Sequence, residues 1–173
     1  MLASLPLEPW TDRRRRDLLN LLGMLDDQLE KLNDAVTQVA SQYPDVHLLM
    51  SQPGGAVTAL AFVLTVGDVR RFPRGKQVAS YLGLIPREYS SGGKQRMGGI
   101  SKQGNRLLRF LLVEAANIAV RFDPVFRKEY LHRCHQKHFT VAKVAAARKL
   151  AIRRYWIPRT QTPYPKIFSS RVA

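Results

Sequence analysis

From Thr11 to Tyr43 the apolar residues fall at Leu18, Leu22, Leu25, Leu29, Leu32, Val36 and Val39, a strict alternation of four and three. Steps of this kind hold one stripe on the same side of an α-helix and repeat as a heptad, which predicts a long helix with a seam fit for another helix. Leu19 and Leu21 widen the stripe at its start, Gly23 weakens the helix, and Pro44 is expected to end it. The seam suits either the helix's own domain or a second chain, and the spacing leaves both readings open.

Beyond Pro44 the apolar runs shorten and glycines punctuate them. Pro53-Gly54-Gly55-Ala56 precedes an apolar run from Val57 to Val66, which predicts a glycine turn leading into a short helix. Gly75 to Leu82 reads as another, with Gly83 placed as its left-handed stop. Pro86 to Gly104 has no helical period, and Gly92-Gly93 and Gly98-Gly99 let it fold as a loose hairpin or an extended loop. Asn105 starts a strongly apolar helix to about Arg121, and Asp123 or Pro124 starts the next, to about Gln136. Thr140 is expected to cap a last helix from Val141 to Trp156, followed by a tail made irregular by Pro158, Pro163 and Pro165. The expected fold is mainly α. A coiled-coil-like arm takes residues 1–48, a compact helical domain with a glycine-rich loop or hairpin takes 49–157, and an irregular tail takes 158–173.

Charge changes this picture more than length does. The 173 residues suit one ordinary domain with an extension, but the formal net charge of +15 is unevenly spread. Residues 1–68 hold 5 Lys and Arg against 9 Asp and Glu, a net −4, whereas residues 69–173 hold 23 against 4, a net +19. A half so basic repels itself unless a polyanion neutralises it, so nucleic acid is the expected partner. One cysteine, Cys134, rules out an internal disulfide. The start carries neither the basic stretch nor the apolar run of a secretory signal, and no long apolar run is free of charge. These features predict a cytoplasmic protein with no membrane partner.

The densest chemistry lies between Leu84 and Arg109. Ser90 and Ser91 sit beside Gly92-Gly93, ringed by Arg87, Lys94, Arg96, Lys102, Arg106 and Arg109, with Glu88 as the sole counter-charge. Guanidinium forks and free backbone amides bind phosphodiester oxygens, and a serine held among them can attack phosphorus while cations stabilise the transition state. Ser91 is the candidate nucleophile and Ser90 its substitute; a serine beside glycine also suits a plain turn. Gly54 and Gly55 add a second candidate phosphate contact through the amides that open their helix.

His132, Cys134, His135 and His138 crowd into seven residues of one predicted helix and cannot all face one metal ion. Glu88, Glu114, Asp123 and Glu129 lie too far apart for a metal-dependent nuclease centre, so no metal and no cofactor is expected in this chain. In the last helix Lys143, Arg148, Lys149, Arg153 and Arg154 interleave with Val144, Ala145, Leu150, Ile152 and Trp156, which predicts one core face and one cationic face for phosphate.

Several of these segments, in this order, resemble the C-terminal transposase domain of the insertion sequence 110/116/902 family. They are Gly67-Asp68-Val69-Arg70-Arg71-Phe72, Ala79-Ser80-Tyr81-Leu82-Gly83-Leu84-Ile85-Pro86, Ser90-Ser91-Gly92, Gly99-Ile100-Ser101-Lys102-Gln103-Gly104-Asn105, Leu107-Leu108-Arg109 and Ala147-Arg148-Lys149-Leu150-Ala151. The resemblance implies a DNA transposase or recombinase whose C-terminal serine attacks DNA and forms a phosphoseryl intermediate, and Ser91 occupies the matching position. It also implies an N-terminal RuvC-like half whose four carboxylates hold Mg²⁺, a guide RNA from the parent element, and a homo-oligomer formed through the arm, here residues 11–43. A bacterial or archaeal, nucleoid-associated protein follows from the same resemblance. Two departures stand out: this chain has no RuvC-like carboxylate set, and Pro53-Gly54-Gly55-Ala56 replaces the family's Pro-Gly-x-Gly. A chain incomplete without an acidic half is therefore expected. The alternatives are a non-catalytic nucleic-acid-binding dimer, as a regulator or the remnant of a decayed element, and a basic protein that structures RNA.

Overall fold

The computed structural model describes residues 7–94 and 96–164. The chain divides into two compact units, one ending at Val39 and one beginning at Ala40. The first holds all but the last residue of helix α1 (Pro9–Ala40), which is 32 residues long, or roughly 48 Å at 1.5 Å per residue. Asp12 in its first turn pairs with Arg15 and, at 3.1 Å, with Arg16. The seam leucines Leu18, Leu22, Leu25, Leu29 and Leu32 are 52–62% exposed. The helix stops at Ala40, short of the expected Tyr43. Pro44 instead opens a separate short helix, α2 (Pro44–Met50), at a position where its missing N–H costs nothing.

The second unit is a helical bundle whose centre is the last helix. After α2 come α3 (Gly55–Val66), a 3-10 turn (Val69–Arg71), α4 (Gly75–Tyr81), the strands β1 (Pro86–Glu88) and β2 (Met97–Ile100), α5 (Arg106–Phe122), α6 (Pro124–Gln136) and α7 (Phe139–Thr160). Helix α7 packs on α2, α4, α5 and α6. Small residues allow its close approach: Ala142, Ala146, Ala147 and Ala151 of α7 and Ala115, Ala116 and Ala119 of α5 are all buried. Leu108, Leu112 and Leu150 fill the space between at 0% exposure, each contributing about 2 kcal/mol by leaving water. Asn105 caps α5 by accepting from the Leu108 amide at 2.9 Å, and Asp123 caps α6 through the Phe126 amide at 2.9 Å, as their residue types require.

Helix α7 departs from expectation in three ways. It begins at Phe139 with His138 as its cap, so Thr140 lies inside the first turn. It runs through Pro158 to Thr160 instead of stopping at Trp156. The proline forfeits one backbone bond close to the helix end, while Ile157 and Pro158 are buried and Gln161 closes the helix with a left-handed cap. The rest of the expected irregular tail, residues 165–173, lies outside the described residues. Thirdly, Arg153 and Arg154 are 5% and 0% exposed, so they belong to the core and not to a cationic face. Trp156, expected in the core, keeps 36% of its surface exposed.

Candidate nucleic-acid interface

The segment predicted as a loose hairpin or loop is a hairpin, and its glycines have distinct tasks. At the tip Ser91 and Lys94 exchange backbone bonds of 3.3 and 3.1 Å, and Gly92 and Gly93 between them have φ of 57° and 75°. Two left-handed residues in a two-residue loop match the right-handed twist of the strands, and glycine adopts that backbone without strain. Lower down, Pro86 faces Ile100 and Glu88 faces Met97, so Gly98 and Gly99 together stand opposite Arg87 as a β-bulge. A side chain on Gly98 would begin 2.9 Å from the Tyr89 ring.

This register sorts the candidate residues by face. Alternation puts Arg87, Tyr89 and Ser91 on one side of the first strand and Glu88 and Ser90 on the other. The Tyr89 amide bonds the Arg96 carbonyl, and Ser91 bridges Lys94, so Arg96 and Lys94 share the Ser91 face. Ser90 donates to Glu88 Oε1 at 2.6 Å and accepts from the Arg96 amide at 3.3 Å. No hydrogen bond joins the Ser91 hydroxyl to another described residue, and the whole tip is exposed. The two serines thus differ: Ser90 is engaged beside a carboxylate, and Ser91 is free among cations. Arg87 reaches the base of the hairpin, donating from Nη2 to the Ser101 carbonyl at 3.0 Å.

Below the hairpin the chain crosses itself. A Cβ on Gly83 would lie 2.0 Å from the Gln103 carbonyl oxygen, and one on Gly104 would lie 2.1 Å from that of Tyr81. Backbone therefore lies directly on backbone. Arg109 Nη1 clamps the crossing through the carbonyls of Gln103 at 2.7 Å, Gly104 at 3.0 Å and Leu82 at 3.3 Å. This predicted phosphate ligand is committed to the fold through that nitrogen. Lys102 and Arg106 remain exposed at the same crossing, Arg106 as the first residue of α5, where its charge opposes the helix dipole. Gly54 and Gly55 lie apart from the hairpin, at the start of α3.

Several of the remaining candidates make local bonds. Asp123 accepts from the Tyr164 hydroxyl at 2.5 Å and from Arg153 at 3.3 Å. Burial alone would raise its pKa, but Tyr164, the Phe126 amide and Arg153 together hold it below the usual carboxylate value. Burial, with the bond to Asp123, pushes the Tyr164 hydroxyl well above its ordinary value. Glu129 pairs with Lys149 and Arg153. His132 bonds Gln136, and His138 bonds Thr140. Among the described residues no three His, Cys, Asp or Glu side chains gather as metal ligands. A groove of about 390 Å³ along α5, lined by Glu114, Asn117, Tyr130 and Lys143 among others, shares no residue with the hairpin. No described helix is long and apolar enough to cross a membrane.

Residues 46–131, from α2 through the hairpin into α6, match the transposase IS116/IS110/IS902 family. The chain is 30% identical over 169 residues to the transposase for insertion sequence element IS1328 of Yersinia enterocolitica, covering 92% of this chain and 50% of that protein. It is 40% identical over 106 residues to the transposase for insertion sequence element IS1111A of Coxiella burnetii, covering 61% of this chain and 28% of that protein. The pilin gene-inverting protein of Moraxella lacunata is 30% identical over 174 residues, covering 90% of this chain and 53% of that protein. The chain spans about half or less of the length of these curated relatives. The match runs through the cationic hairpin, the glycine crossing and the Asn105 cap, and the chain belongs to the IS116/IS110/IS902 family of transposases.

Proposed function

We propose that this chain is the DNA-engaging C-terminal part of a transposase or recombinase, with Ser91 as the nucleophile. The observation that carries the reading is the hairpin tip, where a free hydroxyl shares its face with Lys94, Arg96 and Arg87. In the step envisaged, a bond forms between Ser91 Oγ and a DNA phosphorus as the bond from that phosphorus to one deoxyribose oxygen breaks. The proton leaving the serine balances the one gained by the departing hydroxyl, and the guanidiniums offset the charge growing on the phosphoryl oxygens. The phosphoserine keeps the energy of the broken ester, so a second strand end can reverse the step without ATP.

The basic half supplies the general affinity for DNA, and Lys102 and Arg106 at the start of α5 extend the cationic surface. A structured guide RNA, an acidic partner half holding Mg²⁺, and assembly of copies through the exposed seam of α1 complete the proposal. The relatives' names, transposases and a gene-inverting protein, support DNA rearrangement over a purely structural role for the basic surface. A cytoplasmic, nucleoid-bound location accompanies this reading.

The test is a covalent trap. The chain, supplied with the N-terminal half of the IS1328 relative, is incubated with duplex DNA and examined for an adduct that survives detergent. The wild type and Ser90→Ala are expected to give the adduct and Ser91→Ala none. An adduct that persists in Ser91→Ala removes the nucleophile. Binding of DNA with no adduct from any form favours the non-catalytic regulator instead.

A further inference from the structure

The segment from Gly67 to Phe72 lies within the family match, and the reaction proposed above uses none of its residues. Arg71, the last residue of the 3-10 turn, is exposed. Its guanidinium carbon lies 4.6 Å from the centre of the Phe72 ring and 4.9 Å from that of Tyr81, and the two rings are 5.4 Å apart at 56°. Both distances suit a cation over an aromatic face. Stacking occupies the flat faces of a guanidinium and leaves the N–H groups along its edge free to donate. Among the described residues nothing accepts from those N–H groups. Arg87, Arg127 and Arg159, also exposed, commit theirs to backbone carbonyls.

The backbone beneath the stack is held from two sides. The Phe72 carbonyl accepts from the Tyr155 hydroxyl at 2.9 Å and from Arg159 at 3.2 Å, and Asp68 caps the turn through the Arg70 amide at 2.8 Å. Tyr81 joins the stack to the glycine crossing. Its hydroxyl donates to the Thr65 carbonyl at 3.4 Å, and its own carbonyl oxygen is the atom that a Cβ on Gly104 would meet at 2.1 Å. The guanidinium is therefore tied to the base of the Ser91 hairpin.

A planar pair of donors that is held in place and unpaired fits a planar pair of acceptors. On duplex DNA that pair is O6 and N7 of guanine in the major groove. A phosphate demands less, since a flexible cation reaches it; Arg70, Arg74 and Lys76, exposed before and after Arg71 in the chain, serve that purpose. We propose that Arg71, held against Phe72 and Tyr81, reads a guanine of the DNA and so sets where along the duplex Ser91 meets a phosphate. This inference rests on the DNA-engaging reading above and deepens it. The basic half gives affinity for any DNA, and Arg71 adds a preference for one base.

The test has two stages. The full chain first selects from a pool of duplexes with randomised positions, and the recovered sequences locate the base it prefers. A selected duplex is then remade with 7-deazaguanine, which lacks the N7 acceptor, at that position, and both duplexes are titrated over a range of salt. The wild type is expected to enrich guanine at one position and to bind the 7-deazaguanine duplex about tenfold more weakly. Arg71→Met keeps a side chain on the rings but no donors; it is expected to keep the wild-type Tm and to bind the two duplexes alike. Arg71→Ala repeats the comparison should Arg71→Met not fold. No enriched guanine overturns base reading and leaves DNA binding and the Ser91 adduct intact. A tenfold difference that persists without the Arg71 side chain assigns the guanine to another residue and overturns the proposal. Equal binding of the two duplexes by the wild type, with Arg71→Met weakening both and lowering the salt slope by about 1, makes Arg71 a phosphate contact instead. No DNA binding by the wild type removes the DNA-engaging reading and the guanine contact together.

Discussion

Gly93 and Gly104 have similar backbones and very different surroundings. Both have positive φ, 75° and 84°, so any side chain adds conformational strain of about 1 kcal/mol at either position. At Gly93 the added Cβ meets nothing within 4 Å, whereas at Gly104 it would lie 2.1 Å from the Tyr81 carbonyl oxygen. Gly93→Ala is therefore expected to cost about 1 kcal/mol, and Gly104→Ala more than about 3 kcal/mol because the crossing must separate and the Arg109 clamp loosen. Urea unfolding of the two variants measures the difference; equal costs would mean that the crossing yields without strain. The same comparison bears on function. Alanine at Gly93 leaves the hairpin attached to its base, while alanine at Gly104 moves the base itself.

At the scale of elements, the contact of α6 with α7 depends on Asp123, which caps one helix and pairs with an arginine of the other. Its folded pKa lies below the unfolded value, so the stability it adds is fully present above about pH 4 and is lost as pH falls through the folded value. Asp123→Asn keeps a capping side chain but loses the charge, and is expected to cost about 2 kcal/mol at pH 7. Urea midpoints should show that cost shrinking below pH 4; a cost independent of pH would mean that the charge contributes nothing. These caps were legible in the sequence, because Asn105 precedes an apolar helix, Asp123 precedes a helix-opening proline and Gly83 follows a short helix. The start of α7 was not, since His138 takes the position that Thr140 suits by type. Nor was the burial of Arg153 and Arg154. Basic residues interleaved with apolar ones read as a solvated face, and only the packing of four helices around α7 shows that this helix has little solvated face to offer. The serines show the same limit, because composition places both in a cationic turn and only the strand register separates the Ser91 face from the Glu88 face.

For the whole molecule, residues 1–68 carry a net −4 and residues 69–173 a net +19. Helix α1 carries five seam leucines at 52–62% exposure, and burying such a stripe against a second copy is the ordinary use of a heptad. Pairing two copies would present two basic halves to one DNA, and the second contact then forms at the high local concentration set by the first. Each neutralised phosphate steepens the dependence of log affinity on log salt by about 0.9 for duplex DNA, so a paired molecule has close to twice the slope of a single copy. Leu22→Lys with Leu29→Lys places two charges in the seam and touches nothing in the hairpin. Light scattering is expected to show the mass falling to that of one chain, and titration across a salt series to show the slope falling toward half. If the mass falls and the slope does not, the arm assembles copies without joining their DNA contacts; an unchanged mass would mean that the seam is not what pairs them.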